Sequence, residues 1–346
     1  MQEFPENNIK SPQWLSIESP KNDVVIGIET AFIRNLENTP FPIRLETDKR
    51  KEIADMILND VERYFEKYRS LSELEISDRY YFWERFIIPQ PLIARPGEGY
   101  VLLTSDEVLS AVINGIDHIM INSHSGNPNF KPLISQSEEI INRLSERYDW
   151  ATHSNFGFVS SNPAICGAGI IISAFCQVTA TVMANRFDEI RKIIYAHGLG
   201  ISSIWGSAMD TGTSFIKIYT KQLVGKSPLQ LQDDISFVLD SVIEIERESR
   251  NYLMEKSSLV LKDKIYRACG IVSYANIIEQ WEFPVLISSY RLGAALAILP
   301  ISIRTVDKLL ILGQRAHLTK KFPKINTPLD IAKYRAKLMK TTLAVV

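Results

Sequence analysis

Two stretches decide how this chain is read: residues 111–122, AVINGIDHIMIN, and residues 157–174, GFVSSNPAICGAGIIISA. In the first, apolar runs flank Asn114-Gly115, a pair that accepts the positive φ angles of a tight type I′ turn. It predicts a hairpin of strands 108–114 and 117–122. In the second, a glycine-rich loop leads into an apolar run. Working outward, further strands are predicted at 23–28, 100–104, 157–160 and 215–220. Ile53, Met56, Ile57, Val61, Tyr64 and Phe65 recur at helical spacing and predict a helix over 47–68. Others are predicted near 135–148, on Ile140, Ile141 and Leu144, and over 185–196, stopped by Gly198. Ser227-Pro228 reads as cap and first position of a helix reaching Leu253, its charged part 244–250 solvated. Strands and helices show no regular βαβ alternation, which predicts an α+β fold with an antiparallel sheet. Beyond Pro228 the pattern is almost all helical. Two domains are expected, 1–245 and a helical 246–346.

The 346 residues carry a formal net charge of -1 and are 45% hydrophobic, enough for two cores at the usual domain size. Charge this close to zero gives no electrostatic reason to expect nucleic acid or an anionic membrane as partner. The longest apolar stretch, 292–303, is broken by Gly293, Pro300 and Ser302 and is too short to span a bilayer. The opening MQEFPENNIK lacks the apolar core of a secretory signal. Cys166, Cys176 and Cys269 form no CxxC pair, so the expected compartment is the reducing cytoplasm. None of the five histidines pairs with another His or Cys at a zinc-ligand spacing, and no metal is expected.

In collinear order, several segments resemble the bacterial protein arginine kinases of the phosphagen-kinase (ATP:guanido phosphotransferase) family. Residues 11–42 resemble the first nucleotide segment, where a strand leads into S-x-R-x-R and then A-R-N. FIIPQPLIA (86–94) is similar to the segment carrying a histidine beside the nucleotide. AVINGIDHIMIN matches the N-E-E-D-H-x-R hairpin, and 157–174 matches G-Y-L-T-x-C-P-T-N-x-G-T-G-x-R-A-S. Residues 199–227 resemble the R-G-x-x-G-E segment, while KIYRACGIV (264–272) and YRLGAALAIL (290–299) resemble the helical C-terminal domain. An RAHL segment at 315–318 resembles the divergent homologues of chlamydia-like bacteria. The resemblance implies an antiparallel sheet flanked by helices, a helical C-terminal domain and a homodimer. The partners it implies are a zinc-containing activator, a heat-shock repressor and a AAA+ unfoldase with its peptidase.

Phosphoryl transfer from ATP to a guanidinium needs fixed cations around the triphosphate and a carboxylate to accept the guanidinium proton. In this family arginines do the first and glutamates the second. Here Gly27 stands at the serine of the first segment, and Glu29 and Ala31 at its arginines. Phe86 replaces the histidine and Met120 the hairpin arginine. Ile171 replaces the arginine after the glycine-rich loop, and Ser202 that of the fifth segment. The catalytic glutamates become Gly115, Ile116 and Ser207, and Asn162 takes the place of the cysteine. Losing only two charged hydrogen bonds at ~2 kcal/mol each weakens binding about a thousandfold. The expectation is a pseudokinase: no nucleotide in the family manner, no cofactor, and a role as protein-binding or regulatory subunit. The alternative is an active Mg-ATP-dependent transferase with relocated machinery, using Asp210, Lys217 or Lys221.

Other signals are weighed against plain structural roles. Asp117-His118 reads as a structural pair before a catalytic dyad, and Cys166 as a small hydrophobe before a nucleophile. CGAG lacks the Lys and Ser/Thr of a P-loop, and the GKS at 225–227 is a helix start. The active kinases read phosphoarginine through R-D-x-x-R-A near their C-terminus. In LDIAKYRAKLMK (329–340), Asp330 and Arg335 survive in kind but at another spacing, which leaves them as candidate phosphoarginine ligands.

Overall fold

The computed structural model describes residues 9–204, 214–323 and 327–343. Its strands are β1 (Val25–Arg34), β2 (Lys67–Ser70), β3 (Tyr100–Leu103), β4 (Leu109–Ile113), β5 (Ile119–Ser125), β6 (Thr152–His153), β7 (Gly157–Phe158), β8 (Ile170–Gln177), β9 (Leu199–Ser203) and β10 (Phe215–Thr220). The helices of its first part are α1 (Thr47–Val61), α2 (Ile76–Glu84), α3 (Pro91–Ala94), α4 (Phe130–Leu144), α5 (Thr179–Met183), α6 (Phe187–Ala196) and α7 (Pro228–Lys256). Then come α8 (Ser258–Tyr274), α9 (Glu282–Ala295), α10 (Ile303–Leu312), α11 (Arg315–Lys321) and α12 (Pro328–Leu343).

Eight strands form one antiparallel sheet in the order β2-β3-β4-β5-β1-β8-β10-β9. The fold is therefore α+β, as the segment pattern predicts. Every residue of β1 is buried, because this central strand is covered on both faces. One face, with Ile28, Phe32, Ile121, Ile172 and Ile218, packs under α1, α4, α6 and the first half of α7. Near the sheet's middle the other face joins a second core, in which Trp14, Phe175 and Phe215 meet Leu286, Leu310 and Met339 of the C-terminal helices.

Several local expectations change. The helix from Thr47 ends at Val61; a 3-10 turn at Glu62–Tyr64 and strand β2 take the rest of 47–68, because β3 is there to pair with Lys67–Ser70. The hairpin has no two-residue turn. Ile113 pairs with Ile119, leaving a five-residue loop in which only Asn114 has positive φ and donates through Nδ2 to Arg50 O and Glu98 O. Gly157–Phe158 belongs to a separate ribbon with Thr152–His153. The unread strands β8 and β9 complete the sheet.

The helix from Pro228 carries the expected cap at Ser227, which forms a capping box with Gln230, and runs unbroken through residue 245 to Lys256. Its second half is solvated on one side only, at Glu244, Arg247 and Glu248. Glu246 and Arg250 are buried: Glu246 accepts from the backbone N–H of Ala180 and Thr181, while Arg250 bridges Glu246 and Asp23. Hydrophobic periodicity cannot register a helix face whose buried groups are paired charges. Arg291 of α9 continues the join, donating to Asn22 O, Asp23 O, Gln177 Oε1 and Asp307. Arg304 of α10 adds Ile26 O and Gly126 O. These guanidiniums satisfy buried carbonyls around the start of β1 and just after β5.

Candidate functional site

Partners directly opposite in an antiparallel ladder project to the same face, so register assembles the site. Glu29 on β1 lies between His124 on β5 and Ser173 on β8. One step along, Ala31 lies between Asn122 and Ile171. In the other direction Gly27 opposes Phe175, Phe175 opposes Lys217 of β10, and Lys217 opposes Ser202 of β9. Gly27, Glu29, Ala31, Ile171 and Ser202, the positions that the resemblance matches to the family's nucleotide-gripping residues, thus share one sheet face, with Met120 further along β5. Phe86 reaches the same face from the turn after α2, its φ of 64° turning the chain back, and stacks on Phe175 at 4.6 Å.

The chemistry on this face is a closed ion cluster. Lys217 Nζ donates to Glu29 Oε2 at 2.5 Å, and His124 Nε2 lies 3.5 Å from Glu29 Oε1. Burial alone would raise the Glu29 carboxyl, but Lys217 and then His124 outweigh it and hold its pKa at about 2. Lys217 also lies 5.2 Å from the Phe175 ring centre. Over the cluster sits Trp14, carried by a 3-10 turn at Gln13–Ser16 and almost wholly buried. Its indole stacks on His124 at 5.5 Å and on Phe175 at 6.4 Å. Gly27 makes room for it: a Cβ there would lie 2.5 Å from Trp14 Cζ3. The space left beside Trp14, Phe86, Phe175, Ile204 and Leu310 is about 10 Å³. That is room for one water at most, against the several hundred Å³ of a ligand cleft. A polar cavity of about 300 Å³ lies elsewhere, where Lys51, Arg69, Glu73 and Glu98 line the β2 edge of the sheet. The sheet-face residues do not fit a magnesium nucleotide, since the Glu29 carboxylate and the rings of Trp14, Phe86 and Phe175 fill the face, and its one lysine is already paired.

The hairpin positions form a separate group. A Cβ on Gly115 would meet Val112 and Leu92, and Ile116 packs with Met120 on the apolar cluster of Leu71, Phe82, Leu92 and Val112. Ser207 and Asp210 lie outside the described residues; Lys221 is exposed after β10. Asp117 and His118 do not form a dyad. The Asp117 carboxylate accepts from Asn35 Nδ2, Ser160 Oγ and Ser161 N–H, tying the hairpin loop to the glycine-rich loop. His118 Nδ1 accepts from Leu36 N–H, and burial, only partly opposed by Asp117, pushes its pKa down to about 4. Cys166 is half-buried and accepts from Ser160 N–H. Arg34, beneath Phe158, donates to Ile33 O and Gly169 O.

Asp330 and Arg335 serve different ends of α12. Asp330 accepts from the Thr327 hydroxyl and closes the helix start. Arg335 is buried, donates to Gly313 O, Ile278 O and Gln280 Oε1, and has its pKa lowered to about 10 by burial. The residues sequence reasoning missed are Trp14, His124 and Phe175. The only signal for His124 was its even spacing from Met120 and Asn122 along one strand.

Comparison with known proteins places this geometry. Residues 49–249 match the family described as ATP:guanido phosphotransferase, C-terminal catalytic domain, and residues 258–346 match the protein-arginine kinase McsB C-terminal domain. A protein-arginine kinase of Halothermothrix orenii is 26% identical over 335 residues, 95% of this chain and 96% of the relative. One of Brevibacillus brevis is 27% identical over 344 residues, 96% and 95% of the two chains. Among solved structures, the substrate-free duplicated taurocyamine kinase of Schistosoma mansoni aligns with TM-score 0.57 at 17% identity, covering 72% of this chain and 37% of its own. Lombricine kinase aligns with TM-score 0.56 at 14% identity, covering 70% and 72%. The chain belongs to the ATP:guanido phosphotransferase family, and within it is similar over nearly its whole length to the protein-arginine kinases.

Proposed function

We propose that this chain is a pseudokinase: a family member that keeps the scaffold, transfers no phosphoryl group, takes no nucleotide or other cofactor, and acts as a protein-binding or regulatory subunit. One observation carries the reading. The sheet face holding the replaced nucleotide positions is occupied by the Glu29–Lys217 pair beneath Trp14. An anionic triphosphate would meet the buried Glu29 carboxylate there, and the cation beside it is already neutralised. Three unpaired cysteines and the absence, among the described residues, of a helix long and apolar enough to cross a membrane fit a cytoplasmic site of action. Self-association is part of the proposal, as is a protein partner. Phosphoarginine remains a candidate ligand only for a surface other than the Arg335 guanidinium.

A second reading is favoured by the relatives, which are named protein-arginine kinases. It keeps phosphotransfer with relocated machinery, drawing on Lys217, Lys221 or Asp210. Calorimetric titration with Mg-ATP, followed by a radiolabelled transfer assay on an arginine-rich protein, separates the two. The first reading expects no heat, no thermal stabilisation at millimolar nucleotide and no acid-labile label. Micromolar binding together with label lost in a Lys217→Met variant that still folds would establish the second.

A further inference from the structure

Strand β2 ends the sheet, so one of its two sides has no strand partner. On the other side Leu71 N–H donates to Gly99 O, in register with the pairs Lys67–Leu103 and Arg69–Val101. Backbone groups of successive residues point to alternate sides of an antiparallel strand, so the ladder takes those of Lys67, Arg69 and Leu71. The N–H and C=O of Tyr68 and Ser70 point outward. Such an edge templates a further strand unless charges guard it. Here the guards stand on one face. Lys67 and Arg69 project with Val101 and Leu103 towards α2, whereas Tyr68 and Ser70 project with Tyr100 and Leu102 towards α1. On the α1 face the cavity of about 300 Å³ opens alongside β2, at the lower end of the range for ligand clefts. Ala54 and the rings of Tyr68 and Tyr100, edge to face at 6.1 Å, form its walls. Glu73 and Glu98 line it near the Leu71–Gly99 junction, and Lys51 lines it from α1. Among the described residues, none of these three charges is in an ion pair. The Tyr100 hydroxyl donates to Asp55, so Asp55, Glu73 and Glu98 outnumber Lys51 around the cavity.

We propose that β2 and this cavity receive an extended segment of a partner protein, which adds to the sheet edge as a strand and lays a basic side chain against Glu73 and Glu98. Two independent features select this occupant. The outward backbone groups repeat every second residue, and only another extended backbone offers donors and acceptors at that repeat. A free cation would leave them unmatched. The charge is complementary to a cation, and the tyrosine rings add their negative faces to the carboxylates. Register then sets the pattern of the segment. Its residue opposite Ser70 projects towards Glu73, Glu98 and Tyr100, while its residue opposite Tyr68 projects towards the Tyr68 ring and Ala54. A basic residue and an aromatic or apolar one, two positions apart, satisfy both. The surface lies away from the Glu29 cluster, with β3, β4 and β5 between β2 and β1. The inference names a surface for the protein-binding role proposed above and rests on that reading.

The test is fluorescence anisotropy of the full chain with a labelled peptide, Thr-Lys-Thr-Tyr-Thr-Lys-Thr, which reads the same in either strand direction. Its lysines and tyrosine, facing the cavity, are the residues whose own N–H groups point at β2. Methylating those backbone nitrogens is expected to abolish binding, and methylating the threonine nitrogens to spare it. Ser70→Pro removes an outward N–H and leaves the ladder intact, so its unfolding midpoint is expected to hold while peptide affinity falls at least about tenfold. The double variant Glu73→Gln/Glu98→Gln is expected to weaken binding about tenfold and to abolish the preference over a peptide with glutamate in place of lysine. Equal binding of the two methylated peptides would show a cation site without strand addition and overturns the proposal. A changed oligomeric state in Ser70→Pro assigns the edge to a second copy and overturns it as well. No binding of any peptide at millimolar concentration overturns this surface while leaving the reading above, which nucleotide titration tests, standing.

Discussion

Glu29 and Lys217 meet across an intervening strand: the lysine on β10 reaches over Phe175 of β8 to place its ammonium 2.5 Å from the carboxylate on β1. A buried carboxylate held this way is stable only while its partner stays. The pair fills the middle of the sheet face with a mutually neutralised carboxylate and ammonium.

Glu29→Gln leaves Lys217 without its counter-charge in a mostly buried setting. It is expected to lower stability by about 2–4 kcal/mol in urea unfolding. The double variant Glu29→Leu/Lys217→Met, which removes both charges, is expected to fall within about 1–2 kcal/mol of the wild type. Equal costs for the single and double variants would show that packing at Glu29, not charge, sets the loss.

Putting back the family's serine at Gly27 is expected to harm the fold and gain no nucleotide binding. The new Cβ would lie 2.5 Å from the Trp14 ring, an overpacking that costs about 1–3 kcal/mol. Comparing thermal unfolding of Gly27→Ser with Trp14→Ala and the double variant checks this. The two changes are expected to be less than additive, because removing the indole relieves the clash.

Acid is expected to weaken the protein in a window to which His118 contributes together with the buried His317. The folded pKa of His118, about 4, lies below the usual 6.5, so the unfolded chain binds the extra proton. The stabilisation is complete above about pH 6.5 and is lost as pH falls towards 4, up to about 3 kcal/mol in all. Glu29, held at about 2, loses its contribution only below the usual 4.5. Urea midpoints between pH 7 and 4 are expected to fall less steeply in His118→Asn, whose side-chain oxygen can still accept from Leu36 N–H, the remaining slope including the buried His317, whose pKa burial also lowers. An unchanged slope would assign the loss to other groups.

Arg335→Met is expected to destabilise by about 2–4 kcal/mol, since it strands the carbonyls of Gly313 and Ile278 in the interior. Free phosphoarginine is expected to affect the melting temperatures of wild type and variant alike. A shift present only in the wild type would return Arg335 to a binding role.

Much of the architecture was legible in the residues. Asn114, Asp117 and His118 marked the hairpin, Gly167 and Gly169 the loop after it, and Ser227-Pro228 the start of the long helix, because caps and turns depend on local backbone preference. The charged residues of α7 were misread for the opposite reason. Glu246 and Arg250 look solvated along the sequence, and become interior only when the start of α5 and Asp23 arrive to pair with them.

The sequence by itself determined the family and the antiparallel α+β class. Those depend on the order of segments and on residue type, which a chain displays without folding. Tertiary structure alone decided what occupies the middle of the sheet face. The cluster joins Trp14, Glu29, Phe86, His124, Phe175 and Lys217 from separate segments of the chain. Their contacts follow from ladder register and from a 3-10 turn docked on a sheet face, and long-range packing of that kind leaves no periodic trace in the sequence.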